Sequence, residues 1–416
     1  DQKEYDRDKF SEDRNGVYFD ANGDGNLDLV VASGGNESGF GSPDLADRLY
    51  FNDGKGNFTK SENSGLQFLT NSTSVLRTID INGDGAVDLF AGSRLVPFVY
   101  GVNPNSSILI NDGTGNFSVG TAQFAPQLKE LGMVTDAAVT DYDGDGKMDL
   151  VIVGEWMAPT FFRNTGNKLE KIEMPEMAGY KGWYQAIVVG DFNKDGKPVF
   201  ALANHGLNTR FKASVESPIR MYVNDFDQNG SVEHVYVKKQ GDKHVPFTLK
   251  HQLEGQLPAL KKRYLKYSAY NNQTLEDIFT PEEISKSVMK EVNFLSSAVL
   301  INQGNWKFEM KALPRFAQRS WMHAVLVADL NGDGNQDLIM GGNLQGAKPE
   351  VGQYDGSYGE VLIGKGDGTF DYWQNRDHGL KLDGEIRDLK ILELKDKKVL
   401  MVVKNNEPVE FWEIKK

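Results

Sequence analysis

The chain has 416 residues, a formal net charge of −13 and no cysteine. These values exclude disulfides, thiol catalysis and cysteine-ligated zinc; with no clustered basic stripe, they also exclude a phosphate-backbone partner such as nucleic acid. No run of about 20 apolar residues is present to span a membrane as a helix.

In chain order, the first stretch is Lys3–Phe10, charged and ahead of the first apolar run. It is expected to close a repeat array by adding an outer strand to the last unit, which removes a free sheet edge. Next comes Asp20-Ala-Asn-Gly-Asp-Gly-Asn-Leu-Asp28, and the same frame returns at Asp80–Asp88, Asp141–Asp149 and Asp329–Asp337. Weaker copies start at Asp191, where Val199 replaces the last carboxylate, and at Asp225, where Glu233 stands in that place.

Each frame offers oxygens at its first, third, fifth and ninth positions, plus a backbone carbonyl at the seventh. Calcium takes six to eight oxygen ligands, and glycines let so short a loop curl around the ion. The candidate ligands are Asp20, Asn22, Asp24, Asn26 and Asp28; Asp80, Asn82, Asp84, Ala86 and Asp88; and Asp141, Asp143, Asp145, Lys147 and Asp149. They continue with Asp191, Asn193 and Asp195; Asp225, Asp227, Asn229, Ser231 and Glu233; and Asp329, Asn331, Asp333, Asn335 and Asp337. About four to six Ca²⁺ per chain are expected. An EF-hand is rejected because its twelfth-position glutamate is missing and strands, not helices, flank the loops.

Short apolar runs on both sides of each loop, such as Ala137-Ala-Val139 and Met148–Val153, read as the first two strands of a unit. A second turn follows, as in Asn52–Phe58, Asn111–Phe117 and Asn302–Phe308, and supplies the third-to-fourth hairpin. From 247 to 292 the pattern is helical, with Thr280-Pro-Glu-Glu283 as a helix start. This insertion is expected between the second and third strands of the Asp225 unit. A long loop, 342–360, holds the matching place in the Asp329 unit. A last unit near 388 has three strands and no acidic loop.

The alternation of these two motifs resembles the FG-GAP/VCBS repeat, similar to the calcium blades of integrin α-subunit propellers. The order of repeats also resembles VCBS-repeat surface proteins of Bacteroidetes related to ASPIC/UnbV proteins. The expected fold is all-β: one seven-bladed β-propeller of four-stranded antiparallel blades over residues 1–416, six blades being the alternative. In such blades both turn types emerge on one face, so the opposite face is free for recognition. Candidate ligand-binding residues there are Arg94, Glu155, Trp156, Trp183, Asn204, His205, Trp321, His323, Asn343, Tyr354, Asp355 and Tyr358.

The expected function is a calcium-stabilised, non-catalytic binding or scaffold module that takes a glycan or a protein partner. The resemblance implies a Gram-negative cell surface, outer-membrane association and a SusC/SusD-type uptake complex, with the periplasm as the alternative place. Competing readings are a polysaccharide hydrolase or lyase, using Glu155, Asp355 and a histidine, and an adhesion protein.

Overall fold

The computed structural model describes residues 3–271, 273–348 and 351–414. It is all-β in architecture, with antiparallel sheets built mostly from consecutive strands. The first sheet comprises Asp13–Phe19, Asp28–Ser33, Arg48–Asn52 and Phe58–Lys60, and the second Ser72–Ile79, Asp88–Leu95, Ser107–Asn111 and Phe117–Val119. The third contains Met133–Thr140, Asp149–Met157, Thr160–Asn164 and Leu169–Ile172, extended by Gly182–Trp183. The fourth contains Ala186–Gly190, Val199–Ala203, Ala298–Gly304 and Lys307–Ala312. The fifth contains Met322–Ala328, Asp337–Gly342, Glu360–Gly364 and Phe370–Trp373, and the sixth Ile386–Glu393, Lys398–Lys404 and Glu410–Ile414.

Strand periodicity explains why these sheets stack like blades. Successive side chains point to opposite sheet faces, so a strand that is apolar throughout must be covered on both sides. Asp149–Met157 is buried along its whole length. Its Leu150 and Ile152 join a core with Phe90 and Ile108 of the second sheet. The alternate residues, Val151 and Val153, join Phe200 and Leu300 of the fourth. The same division recurs between the first and second, fourth and fifth, and fifth and sixth sheets.

Seven sheets are present among the described residues, but the one containing the Asp225 loop is not a member of this succession. It consists of Ile219–Asn224, Glu233–Gln240, Lys243–Pro246 and Val288–Val292, and falls in sequence between two paired strands of the fourth sheet. Ala298–Gly304, expected as the third strand of the Asp225 unit, instead pairs with Val199–Ala203. That completes the Asp191 unit and accounts for its short spacing to the next loop.

The insertion is also less helical than its sequence suggests. Five short helices lie between 250 and 286, the last being Pro281–Lys286, and a strand follows at Val288–Val292. Thr280 caps that helix in a reciprocal box with Glu283, as the Thr-Pro-Glu-Glu start requires. Helix residues Leu253 and Leu275 cover one face of the inserted sheet through Val235 and Val237. Its other face, through Ile219 and Met221, packs on Trp156 and Trp183.

The expected closure by the N-terminal segment is not found. Lys3–Asp6 is a short helix, and Tyr5 packs edge-on against Tyr50 of the first sheet, ring centroids 5.0 Å apart. Asp8 accepts from the Tyr50 hydroxyl and the Lys60 ammonium, both at 2.6 Å. The charges of the segment thus tie it to its own neighbouring sheet, and the sixth sheet keeps three strands.

Candidate functional site

The acidic loops follow one hydrogen-bonding plan. The ninth-position carboxylate is buried, with Asp28, Asp88, Asp149 and Asp337 at 0% exposure. In the third sheet the Tyr142 N–H donates to Asp149 at 3.1 Å and the Asn164 N–H at 2.8 Å. The first-position carboxylate collects backbone N–H groups from within the loop; Asp141 accepts from Gly144 and Gly146 at 2.7 and 2.8 Å. Gly144 and Gly146 have φ of 80° and 85°, which turns those N–H groups inward at no cost to glycine.

Oxygens of Asp141, Asp143 and Asp149 lie within 4.8 Å of one another, as do those of Asp225, Asp227 and Glu233. The loops at Asp20, Asp80 and Asp329 carry asparagine third; the amides of Asn22, Asn82 and Asn331 instead donate to Asp24, Asp84 and Asp333. Burial pushes the Asp149 carboxyl up to about 6, and the charges of Asp143 and Asp145 push the same way. Burial likewise raises Asp28, Asp88, Asp337 and Glu233. A buried acid surrounded by acids is relieved by a cation, and an oxygen-only donor set suits a hard one. Arg163 partly answers the charge, with Nε 2.7 Å from Asp143 and Nη2 3.0 Å from Asp145. In the Asp191 loop Val199 is a buried core residue, so no ninth ligand exists there.

The second-turn asparagine proves to be a staple between neighbouring sheets. Asn111 donates its N–H to Asp88 at 2.9 Å, and its side-chain amide donates to Ala21 O, in the loop of the preceding sheet, at 2.9 Å. Asn164 reaches Asp80 O and Asn302 reaches Tyr142 O in the same way. Sequence reasoning treated these residues as turn formers only. Asn111→Ala leaves buried carbonyls and turn N–H groups without partners and should cost about 2–4 kcal/mol, read as a lowered midpoint in urea.

The opposite face gathers most of the expected recognition residues. Glu155 is held by Arg94 Nη2 at 2.8 Å, the Tyr100 hydroxyl at 2.8 Å and the Gln185 amide at 3.2 Å. Trp156, with φ of 62°, donates its indole N–H to Tyr100 at 2.9 Å. A chain of ring contacts then runs from Trp156 to Trp183 at 5.1 Å, to His205 at 5.0 Å and to Trp321 at 4.7 Å. Tyr354 stands 4.8 Å from His205, and His323 stacks on Trp321 at 5.7 Å. Burial pushes His205 down to about 3 and His323 also well below its ordinary value, so both imidazoles are neutral near pH 7.

Four ring nitrogens of this group are buried without a hydrogen-bond partner: Trp183 Nε1, Trp321 Nε1, His205 Nδ1 and His323 Nε2. A cleft of about 380 Å³ has Tyr100, Phe211, Tyr236 and Phe247 in its walls, and Phe211 also touches the rings of Trp183 at 5.1 Å and His205 at 5.8 Å.

Other expected residues do different work. Asn204 donates to Phe294 O and Ser296 O and accepts from the Trp183 N–H, so its amide is consumed in joining segments. Asn343 likewise donates to Ser357 O and Gly384 O. Asp355 and Tyr358 are exposed on the 342–360 loop, and no contact among the described residues joins them to the ring cluster. Tyr100, Gln185 and Phe211 were missed. Gln185 directly precedes a first strand, the level of His323, and that equivalence was available in the sequence.

The FG-GAP-like repeat family model matches residues 20–91 and 141–201. The chain carries FG-GAP-like repeats. These matched stretches contain four of the acidic loops, those starting at Asp20, Asp80, Asp141 and Asp191. A comparison with curated protein sequences finds no match. Among solved structures, the chain is similar to the V. cholerae biofilm matrix protein Bap1 at 12% identity and TM-score 0.37, covering 97% of this chain and 69% of that one. It is also similar to BBS1N in complex with ARL6DN. The lead-soaked crystal gives 10% identity, TM-score 0.34 and coverage of 96% and 91%. The mercury-soaked crystal gives 9% identity, TM-score 0.36 and coverage of 98% and 98%.

Proposed function

We propose that this FG-GAP-repeat propeller is a calcium-stabilised, non-catalytic binding module that recognises a saccharide through the face opposite its acidic loops. The observation that carries this reading is the set of buried, unpartnered ring nitrogens on Trp183, Trp321, His205 and His323, joined through Phe211 to an aromatic cleft. Buried donors without partners are costly, and sugar hydroxyls supply acceptors while C–H faces of a sugar pack on aromatic rings. Calcium in the loops fixes the first-to-second-strand turns and stays remote from this face. Millimolar calcium outside cells suits weak oxygen-ligand sites, which favours a cell-surface setting.

Catalysis by Glu155 is disfavoured because both its oxygens are taken: Oε1 by Arg94 and Gln185, and Oε2 by Tyr100. A general acid or base needs a free position toward the substrate. The test is calorimetric titration of bacterial and host oligosaccharides against the wild-type protein and Trp321→Ala. A bound oligosaccharide should lose at least about ten-fold in affinity in the variant, the size of a lost stacking and hydrogen-bonding anchor. Unchanged affinity at intact calcium-dependent melting would refute the assignment of this face.

A further inference from the structure

The first strands of the sheets share a defect at the same level. In the first sheet Asp13 and Asn15 face adjacent partners, leaving Arg14 as an extra bulged residue. Ser74, Thr135, His323 and Arg387 are the bulged residues of the second, third, fifth and sixth sheets. Gln185 holds the corresponding place just ahead of Ala186 in the fourth. Bulges re-aim side chains and are often placed for function.

The small bulge residues show where this level lies. The Ser74 hydroxyl lies 2.7 Å from Val134 O of the next sheet's first strand and 3.0 Å from Gly92 O of its own sheet, sharing its one proton between them. The Thr135 hydroxyl likewise lies 2.9 Å from Tyr184 O and 3.3 Å from Val153 O. The bulged positions therefore sit at the seams between innermost strands, at the ends away from the acidic loops. On one side of this circle the seams are closed by neutral hydroxyls. On the other, three successive positions are His323, Arg387 and Arg14.

These groups sense one another's charge, and Arg94 joins them: the charges acting on His323 are those of Arg387, Arg94, Arg14 and His205. Arg94 is compensated by Glu155 at 2.8 Å and Arg387 by Glu385 at 2.7 Å. The charges of Glu12 and Glu37 also act on Arg14, and no hydrogen bond or ion pair holds its guanidinium among the described residues. His323 Nε2 is buried and also unpartnered.

We propose that the arc Arg14–Arg387–His323 is the seat of a single oxyanion, the carboxylate or sulfate group of an acidic saccharide whose ring lies toward Trp321. This deepens the saccharide reading above and rests on it for the sugar, though not for the anion. Guanidinium groups match the planar geometry of carboxylate and sulfate oxygens, and a ring nitrogen can bond the same group from the side.

The experiment uses calorimetry and tryptophan fluorescence with glucuronate, glucose, glucose 6-sulfate, and sodium sulfate as probes. The proteins are wild type, Arg14→Gln, Arg387→Gln and the double variant. Glucuronate or glucose 6-sulfate should bind at least about ten-fold tighter than glucose, and the double variant should erase that advantage while leaving glucose unchanged. Preference for one of the two charged sugars identifies the anion. Equal affinity for charged and neutral sugars, or an undiminished advantage in the double variant, overturns the seat and leaves saccharide recognition standing. Sodium sulfate raising the melting temperature of wild type but not of the double variant, with no sugar binding, upholds the seat and removes the saccharide reading. No response to any probe overturns both.

Discussion

Transfer from excess Ca²⁺ into EGTA should lower the melting temperature by about 10 °C. A site held at one hundred times its dissociation constant adds about 2.7 kcal/mol to native-state stability. Two to four such sites add roughly 5–11 kcal/mol, and a chain of this length shifts by about 1–2 °C per kcal/mol. The loops at Asp141 and Asp225, where three carboxylates converge, should hold the ion most tightly. Asp145→Ala separates metal binding from folding. Asp145 lies at the fifth position and accepts from the Lys147 N–H at 2.9 Å, so its loss should narrow the gap between calcium and EGTA while changing the EGTA midpoint little. Metal analysis by mass spectrometry supplies the stoichiometry. An unchanged melting curve with no bound ion would remove calcium from the account of these loops.

Asp149→Ala should be more damaging than any change at the other loop positions, and damaging even in EGTA. The carboxylate is fully buried and accepts from the backbone N–H groups of Tyr142 and Asn164. Each orphaned buried donor costs about 1–3 kcal/mol, and the loop loses its ninth-position ligand as well. A total of roughly 3–6 kcal/mol is expected from urea unfolding in EGTA. Asp149→Asn keeps one acceptor oxygen and should fall between the variant and wild type. If Asp149→Ala were neutral in EGTA, the ninth position would serve the ion alone, contrary to the shared bonding plan.

Repetition made the blades legible. The acidic frame and the Asn-Asp-Gly turn mark the ends of strand pairs, and all-apolar stretches such as Leu150–Val153 require cover on two sides. Nesting was not legible. The strand at Ala298 follows the Asp225 loop in sequence, yet it hydrogen-bonds to Val199–Ala203; periodicity reports that a strand exists and says nothing of its partner. Val288–Val292 escaped because five short helices precede it and Lys290-Glu291 interrupts its apolar run. On the face away from the acidic loops, Trp183, His205, Trp321 and His323 stand in ring contact, and the strand topology had placed them on one face. It could not tell that Asn204 and Asn343 spend their amides on backbone, because an asparagine that joins segments and one that meets a ligand look alike in one dimension. Arg14 and Arg387 were overlooked because a bulge is a property of register, and register appears only when strands are paired.

The nested sheet has a consequence for biosynthesis. Leu202 pairs with Ala298, so a growing chain waits through nearly 100 residues before its fourth blade can close. At translation rates of about 5–20 residues per second, the Val199–Ala203 edge stays bare for roughly 5–20 seconds. That edge, Val-Phe-Ala-Leu-Ala, is uncharged and fully buried in the finished molecule, the kind of strand that recruits foreign ones. The inserted sheet and its helices form their own cores from local contacts and can condense during the wait. The newborn chain therefore passes through a stage in which a folded hairpin-like module hangs from a half-built propeller, and a chaperone would be needed most at that stage.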